Sequence, residues 1–122
     1  MVKRTGPQTL ELQNLIQDLK VFGGKNNINL WKRIAKELEA PRRRRRKVNL
    51  YRINKTIRDN EIALVPGKVL SLGELHKKVT VAAYQFSGNA KEKINHIGKA
   101  ISIRELIEKY PDPKGKRIRI IG

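Results

Sequence analysis

The sequence predicts an α/β fold: an N-terminal helical hairpin, then a small layered domain of strands and helices. Three observations carry this. Apolar residues recur at helical spacing twice before position 40. Strand-like segments rich in β-branched residues then appear near 48, 78–86 and 117–121. Between the later strands stand two helix-start serines, Ser87 and Ser102. Strands alternating with helices imply helices layered on a sheet from about residue 47. The domains expected are 1–40 (helical extension), 41–47 (basic segment) and 48–122 (α/β core). No repeat at a fixed period stands out, although two strand–helix pairs follow each other between 78 and 110.

Residues 8–22 form the first expected helix, with Leu12, Leu15, Ile16 and Leu19 on one stripe. Gly23-Gly24 is its expected end, because glycine enters a left-handed cap without steric cost. The second helix covers 29–39, with Trp31, Ile34, Ala35 and Leu38 as its apolar face. Asn27 and Asn29 are the candidate caps, and Pro41 the stop. Neither helix is long enough to persist alone in water, so each must pack.

The period then shortens to two. Val48, Leu50 and Arg52 alternate with Asn49, Tyr51 and Ile53, as in a short strand, and Ile53–Arg58 suits one helical turn. Glu61–Val65 is an apolar run. Val65-Pro66-Gly67-Lys68 carries the type II turn pattern, after which Val69 and Leu70 resume a strand. KVTVAAYQF (78–86) is the strongest strand signal in the chain. Ser87 caps a helix over 88–97 that ends at Gly98. Ala100 and Ile101 make a short strand. Ser102 and Glu105 form a capping box for a helix that stops at Pro111. Residues 112–116 read as loop and 117–121 as a last strand.

Charge narrows the function. Lys plus Arg number 28 against 11 Asp plus Glu, a net of +17 over 122 residues. The excess concentrates at 41–60, which holds nine basic residues and one Asp. A folded protein with such a field seeks a polyanion, nucleic acid before an anionic membrane. The absence of cysteine excludes disulfides, thiolate metal sites and cysteine nucleophiles. No apolar run approaches the ~20 residues that span a bilayer. The opening MVKRTGPQTL lacks the apolar stretch of a secretory signal, so none is expected.

Catalytic patterns are absent. His76 and His96 lie in unrelated contexts, Glu37 and Glu39 do not share a helical face, and Glu105 and Glu108 read as cap and solvent residues, so no carboxylate pair is held for acid–base work. Gly67-Lys68 and Gly73 do not make a phosphate-loop motif, and Ser87-Gly88 lacks the glycine a nucleophile elbow needs. No enzyme activity, cofactor, metal or small-molecule substrate is expected.

The candidate binding residues are basic. In APRRRRRKVNLYRIN, Arg42, Arg43, Arg44, Arg45, Arg46 and Lys47 stand in one run. Guanidinium groups grip phosphate oxygens two at a time, and an extended path lets a run of them follow a phosphate backbone. Arg52, Lys55 and Arg58 extend the patch. Lys32, Arg33 and Lys36 lie on the second helix opposite Ile34 and Leu38. Lys68, Lys77, Lys78, Lys91, Lys93 and Lys99 flank the central strand and helix. No helix-turn-helix, zinc finger or basic zipper is present, nor an aromatic stacking sheet. Two nucleic-acid readings remain: a surface shaped to one folded RNA, or sequence-blind DNA coating. A membrane binder lacks the expected basic amphipathic helix with an aromatic face.

The stretch VPGKVLSLGELHKKVTVAAYQFSGNAKEKINHIGKAISIRELIEKYP (65–111), preceded by RRRRRKVNLYRIN, resembles the archaeal and eukaryotic large-subunit ribosomal protein eighteen-e family, related to bacterial large-subunit protein fifteen. Its specific parts are Val65–Lys68, Val79–Ser87 with Ala90 and Ile94, and Val48-Asn49-Leu50. The length resembles archaeal members. The resemblance implies a core of irregular β-β-α turns and a non-catalytic, cytoplasmic constituent of the large ribosomal subunit. Its implied partners are large-subunit ribosomal RNA and neighbouring ribosomal proteins. The chain departs from bacterial relatives, whose long Gly/Arg-rich extension is here two helices. It also has Gly98-Lys99 where relatives often have two glycines; a left-handed cap at Gly98 alone still suits. Under this reading Val79, Val81, Phe86, Ile94, Ile97, Ile103, Leu106 and Ile107 are core. Trp31 is a packing anchor rather than a stacking ring. Gly67 and Gly88 serve either local geometry or close approach of RNA.

Overall fold

The computed structural model describes residues 10–40, 46–58, 60–110 and 117–121. These fall into two compact units, one before and one from Arg46.

The first unit is a helical hairpin of α1 (Leu10–Asn26) and α2 (Asn29–Leu38), packed on each other. Leu12, Leu15, Ile16 and Leu19 are buried from α1, and Trp31, Ile34, Ala35 and Leu38 from α2, the stripes expected from their spacing. Trp31 has no exposed surface, so its ring packs and stacks on no base. Gly23-Gly24 does not end α1. The left-handed residue is Asn27, at φ 53°. Ile28 N–H donates to Gly23 O at 2.8 Å and Asn27 N–H to Gly24 O at 3.4 Å, the two bonds of a Schellman cap. Gly23 sits inside the hairpin instead, where a Cβ would lie 3.1 Å from Lys32 Cγ. Neither asparagine caps α2: its N-cap is Ile28, with no side-chain bond. Asn27 Oδ1 accepts from Lys32 Nζ at 3.1 Å.

The second unit runs β1 (Arg46–Asn49), α3 (Leu50–Thr56), β2 (Ile62–Leu70), β3 (Thr80–Phe86), α4 (Gly88–Ile97), β4 (Lys99–Ser102), α5 (Ile103–Lys109) and β5 (Ile118–Ile120). All pairings are parallel, in the order β1-β2-β3-β4. β5 pairs with Ile62–Leu64 and β1 with Gly67–Leu70, so the two share one edge of β2 end to end. Parallel neighbours need crossovers, and α3, α4 and α5 supply three of them. Each begins within two residues of a strand's end. Ser87 Oγ accepts from Ala90 N–H at 3.3 Å, and Ser102 with Glu105 forms the expected capping box.

Two local readings give way to tertiary structure. The strand reading of Leu50–Ile53 fails because Leu50, Ile53 and Ile57 follow a 3–4 spacing and all bury into the core, which winds α3 directly after Asn49. The Pro66-Gly67 turn is no turn. β2 runs unbroken through it, with an irregularity in its pairing to β3 between Val65 and Lys68. Proline is tolerated within a sheet at such an irregularity. Gly67 lies under β1 so closely that a Cβ would sit 2.0 Å from Arg46 O. Gly98 ends α4 at φ −134°, outside the left-handed region; the crowding there is with Val79 O, 2.0 Å from where a Cβ would be. Gly88 has open space around it.

One face of the sheet packs Val48, Ala63, Val65, Val69, Val81 and Ala83 against Leu50 and Ile53 of α3 and Ala90 and Ile94 of α4. Val79 is buried there too, with Phe86 and Ile97 packed on its margin. Ile103 and Leu106 of α5 are buried and Ile107 half-buried.

The fourth crossover, residues 71–79 between β2 and β3, has no helix. It carries the chain from Leu70 back to Thr80, level with Ile62. That return is roughly 26 Å along the strand. Ten peptide steps reach at most about 35 Å, so the connection runs extended for most of its length. Leu75 and Val79 anchor it in the core.

Candidate nucleic-acid interface

Arg42, Arg43, Arg44 and Arg45 lie outside the described residues. Arg46 opens β1, half-buried. Lys47 is exposed beside it and pairs in register with half-buried Lys68 on β2. Since Val48 and Val69 point into the core, the two lysines point from the opposite face. No carboxylate pairs with either among the described residues.

Arg52 and Lys55 are exposed on α3, and Arg58 just beyond its end. Lys78, Lys91 and Lys99 are exposed; Lys99 pairs in register with Thr80, and its N–H donates to Val79 O at 3.2 Å. On α2, Lys32, Arg33 and Lys36 line the exposed side, opposite buried Ile34 and Leu38.

Two of the lysines brace backbone carbonyls. Lys77 Nζ donates to Asn54 O at 2.9 Å and Ile57 O at 2.6 Å, capping the carbonyl end of α3. Lys93 Nζ donates to Ser71 O at 3.0 Å and Gly73 O at 3.1 Å, and lies 3.3 Å from Glu74. Together with Leu72 N–H to Asn49 Oδ1 (3.3 Å) and His76 N–H to Asn54 Oδ1 (2.9 Å), they tie the crossover to the end of β1, to α3 and to α4. A composition-level reading counts such ammonium groups as free; only the fold assigns them carbonyl partners.

Sequence reasoning also missed the Glu61–Arg119 pair, 58 residues apart. Arg119 Nε and a terminal nitrogen each donate to a Glu61 oxygen at 3.0 Å, and Arg58 N–H donates to Oε1 at 2.7 Å. The pair fixes β5 on β2. The Arg119 fork, with the Arg58 amide, holds the Glu61 carboxyl below its usual range against the opposing effect of burial. The one legible hint was a lone acid opening an apolar run.

No group of three His, Cys, Asp or Glu that could hold a metal gathers among the described residues, and no buried side-chain polar atom there lacks a partner. No helix there is long and apolar enough to cross a membrane. The arrangement presents surface cations.

Fold and surface thus define a strongly basic α/β protein whose helical hairpin precedes a parallel sheet along the chain. The chain belongs to the family of ribosomal proteins that groups 50S-L15 and 50S-L18e with their 60S counterpart, and the family matches residues 10–102. It is 44% identical over 117 residues to large ribosomal subunit protein eL18 of Sulfolobus acidocaldarius, covering 95% of this chain and 96% of that protein. The protein of that name from Haloarcula marismortui is 42% identical over 120 residues, 98% of this chain and 99% of its own. That of Methanococcus maripaludis is 40% identical over 122 residues, 99% and 98%. The family and its archaeal relatives agree with the resemblance read from residues 65–111.

Proposed function

We propose that the chain is a structural, non-catalytic constituent of the large ribosomal subunit, acting in the cytoplasm, that binds folded large-subunit ribosomal RNA through its basic surface. The observation that carries this is the match to eL18 proteins along nearly the whole of both chains. The net charge of +17 and the Lys47–Lys68 pair, which no carboxylate meets among the described residues, support it. Arg42–Lys47 is the main clamp, and Arg52, Lys55, Arg58, Lys68, Lys78, Lys91 and Lys99 widen it. Lys32, Arg33 and Lys36 add phosphate contacts from the hairpin. Neighbouring ribosomal proteins complete its surroundings. Lys77 contributes through the fold it braces.

Clamping about six phosphates makes affinity fall ~10³-fold between 50 and 200 mM salt. The test has two arms. The protein is expected to co-sediment with large subunits after a high-salt wash. Large-subunit RNA is expected to outcompete random duplex DNA at matched phosphate and salt. Equal competition would favour a DNA-coating protein and remove the RNA assignment. Replacing Arg42–Arg46 by glutamine is expected to keep the fold and cut RNA affinity by several kcal/mol; unchanged binding would remove the clamp.

A further inference from the structure

Tyr51 and Leu72 stand apart from the other apolar side chains of the second unit. They are 54% and 65% exposed, while the core around them is closed. They belong to different elements, α3 and the β2–β3 crossover, yet the backbone joins them. Tyr51 N–H donates to Leu72 O at 3.1 Å.

This juxtaposition is enforced. The Asn49 side chain holds the Leu72 amide, and Lys93 holds the carbonyls on either side of Leu72, those of Ser71 and Gly73. Gly73 adopts φ +97°, and a Cβ there would lie 2.6 Å from Tyr51 Cβ. Only glycine both takes that backbone and permits that approach. The fold therefore spends an asparagine, a lysine and a glycine to fix the backbone that carries two exposed apolar side chains.

The surroundings say what would cover them. Arg52 follows Tyr51, and Lys55 stands four residues on, one helical turn along the same face. Both are exposed. A ring with a cation on the order of 6 Å away suits one nucleotide: the base on the ring, its phosphate on the cation. Unpaired bases splayed from folded RNA stack on such rings, and stacking needs no sequence motif.

We infer that Tyr51 and Leu72 form a rigid platform for a single unpaired nucleobase of the RNA, with Arg52 and Lys55 taking its phosphates. This rests on the RNA-binding reading above but adds a contact that charge alone does not supply.

The test is a titration of the full chain and its variants with large-subunit ribosomal RNA at two or more salt concentrations. Tyr51→Ala is expected to weaken binding about tenfold, and Tyr51→Phe to restore it. The slope of affinity against salt is expected to stay unchanged in Tyr51→Ala, because a base contact releases no counterions. In Lys55→Gln the slope is expected to fall by about one. Thermal melting checks that each variant folds, which the exposure of Tyr51 favours. Wild-type affinity in Tyr51→Ala would overturn the platform while leaving RNA binding intact. So would unchanged RNA affinity with weakened incorporation into subunits, which would assign the platform to a protein neighbour. If the wild-type chain fails to bind the RNA, the functional reading itself falls.

Discussion

Lys47 and Lys68 occupy directly opposed positions on adjacent parallel strands, both on the sheet face opposite Val48 and Val69. Like charges in that relationship repel, and nothing anionic among the described residues separates them. Lys68→Gln should therefore stabilise the free protein slightly, by about 0.5 kcal/mol. The same change should weaken RNA binding and lower the salt slope by about one. Denaturant midpoints and RNA titrations on one preparation check the opposed signs. A variant that loses both stability and affinity would mark Lys68 as a packing residue.

Gly67 and Gly88 make a paired comparison. Gly67→Ala drives a methyl group into Arg46 O and must displace β1. A loss of about 3 kcal/mol is expected, at the upper end for overpacking. Gly88→Ala meets open space at the first position of α4 and should gain about 0.5 kcal/mol. Urea unfolding of the two variants gives the answer. Equal effects would contradict the assignment of Gly67 to strand crowding.

Arg119 makes stability depend on acidity. The Glu61 carboxyl is held below its ordinary value of 4.5, so the folded state favours its ionised form. The resulting stabilisation is full above that value and fades as pH falls through the depressed one. Arg119→Met should be markedly less stable than wild type at pH 7, since it strands a buried carboxylate. The gap should narrow as pH falls past 4.5, because the stranded carboxyl becomes protonated and the wild-type pair loses its advantage. Unfolding midpoints of both proteins from pH 7 to pH 3 test this, and a constant gap would refute it.

Lys93→Met should loosen the crossover. Ser71 O and Gly73 O lose their donor, and Glu74 its cation. Hydrogen exchange at the Leu72 and His76 amides should quicken, while amides in β3 stay protected. A global cost of about 1 kcal/mol is expected, because the ammonium is partly exposed.

Much of the fold was legible where one short-range rule sufficed. The stripes of α1 and α2, the β-branched run of β3 and the serine caps at Ser87 and Ser102 each depend on neighbours within four residues. The failures share a different cause. Pro66-Gly67 carries turn chemistry, but strands on both sides hold it in the sheet. Leu50 fits a strand's alternation until Ile53 and Ile57 show that the core wants a helix. Gly23 reads as a terminus because sequence cannot show α2 lying against it. The cations were legible as a class, whereas the service of Lys77 and Lys93 to backbone carbonyls was not. Glu61 and Arg119 meet only once the sheet has assembled.

The pinned, extended span between β2 and β3 acts as a measuring tape. Held at Leu72, Leu75, His76 and Val79, it sets how far one strand can slide along the other. Removing a single residue between those anchors pulls β3 toward a one-step slip, and such a slip exchanges inward for outward side chains. Val81 and Ala83 would leave the cluster they share with Ala63 and Val65, so a shortened span is read out as a mispacked core rather than a shorter loop.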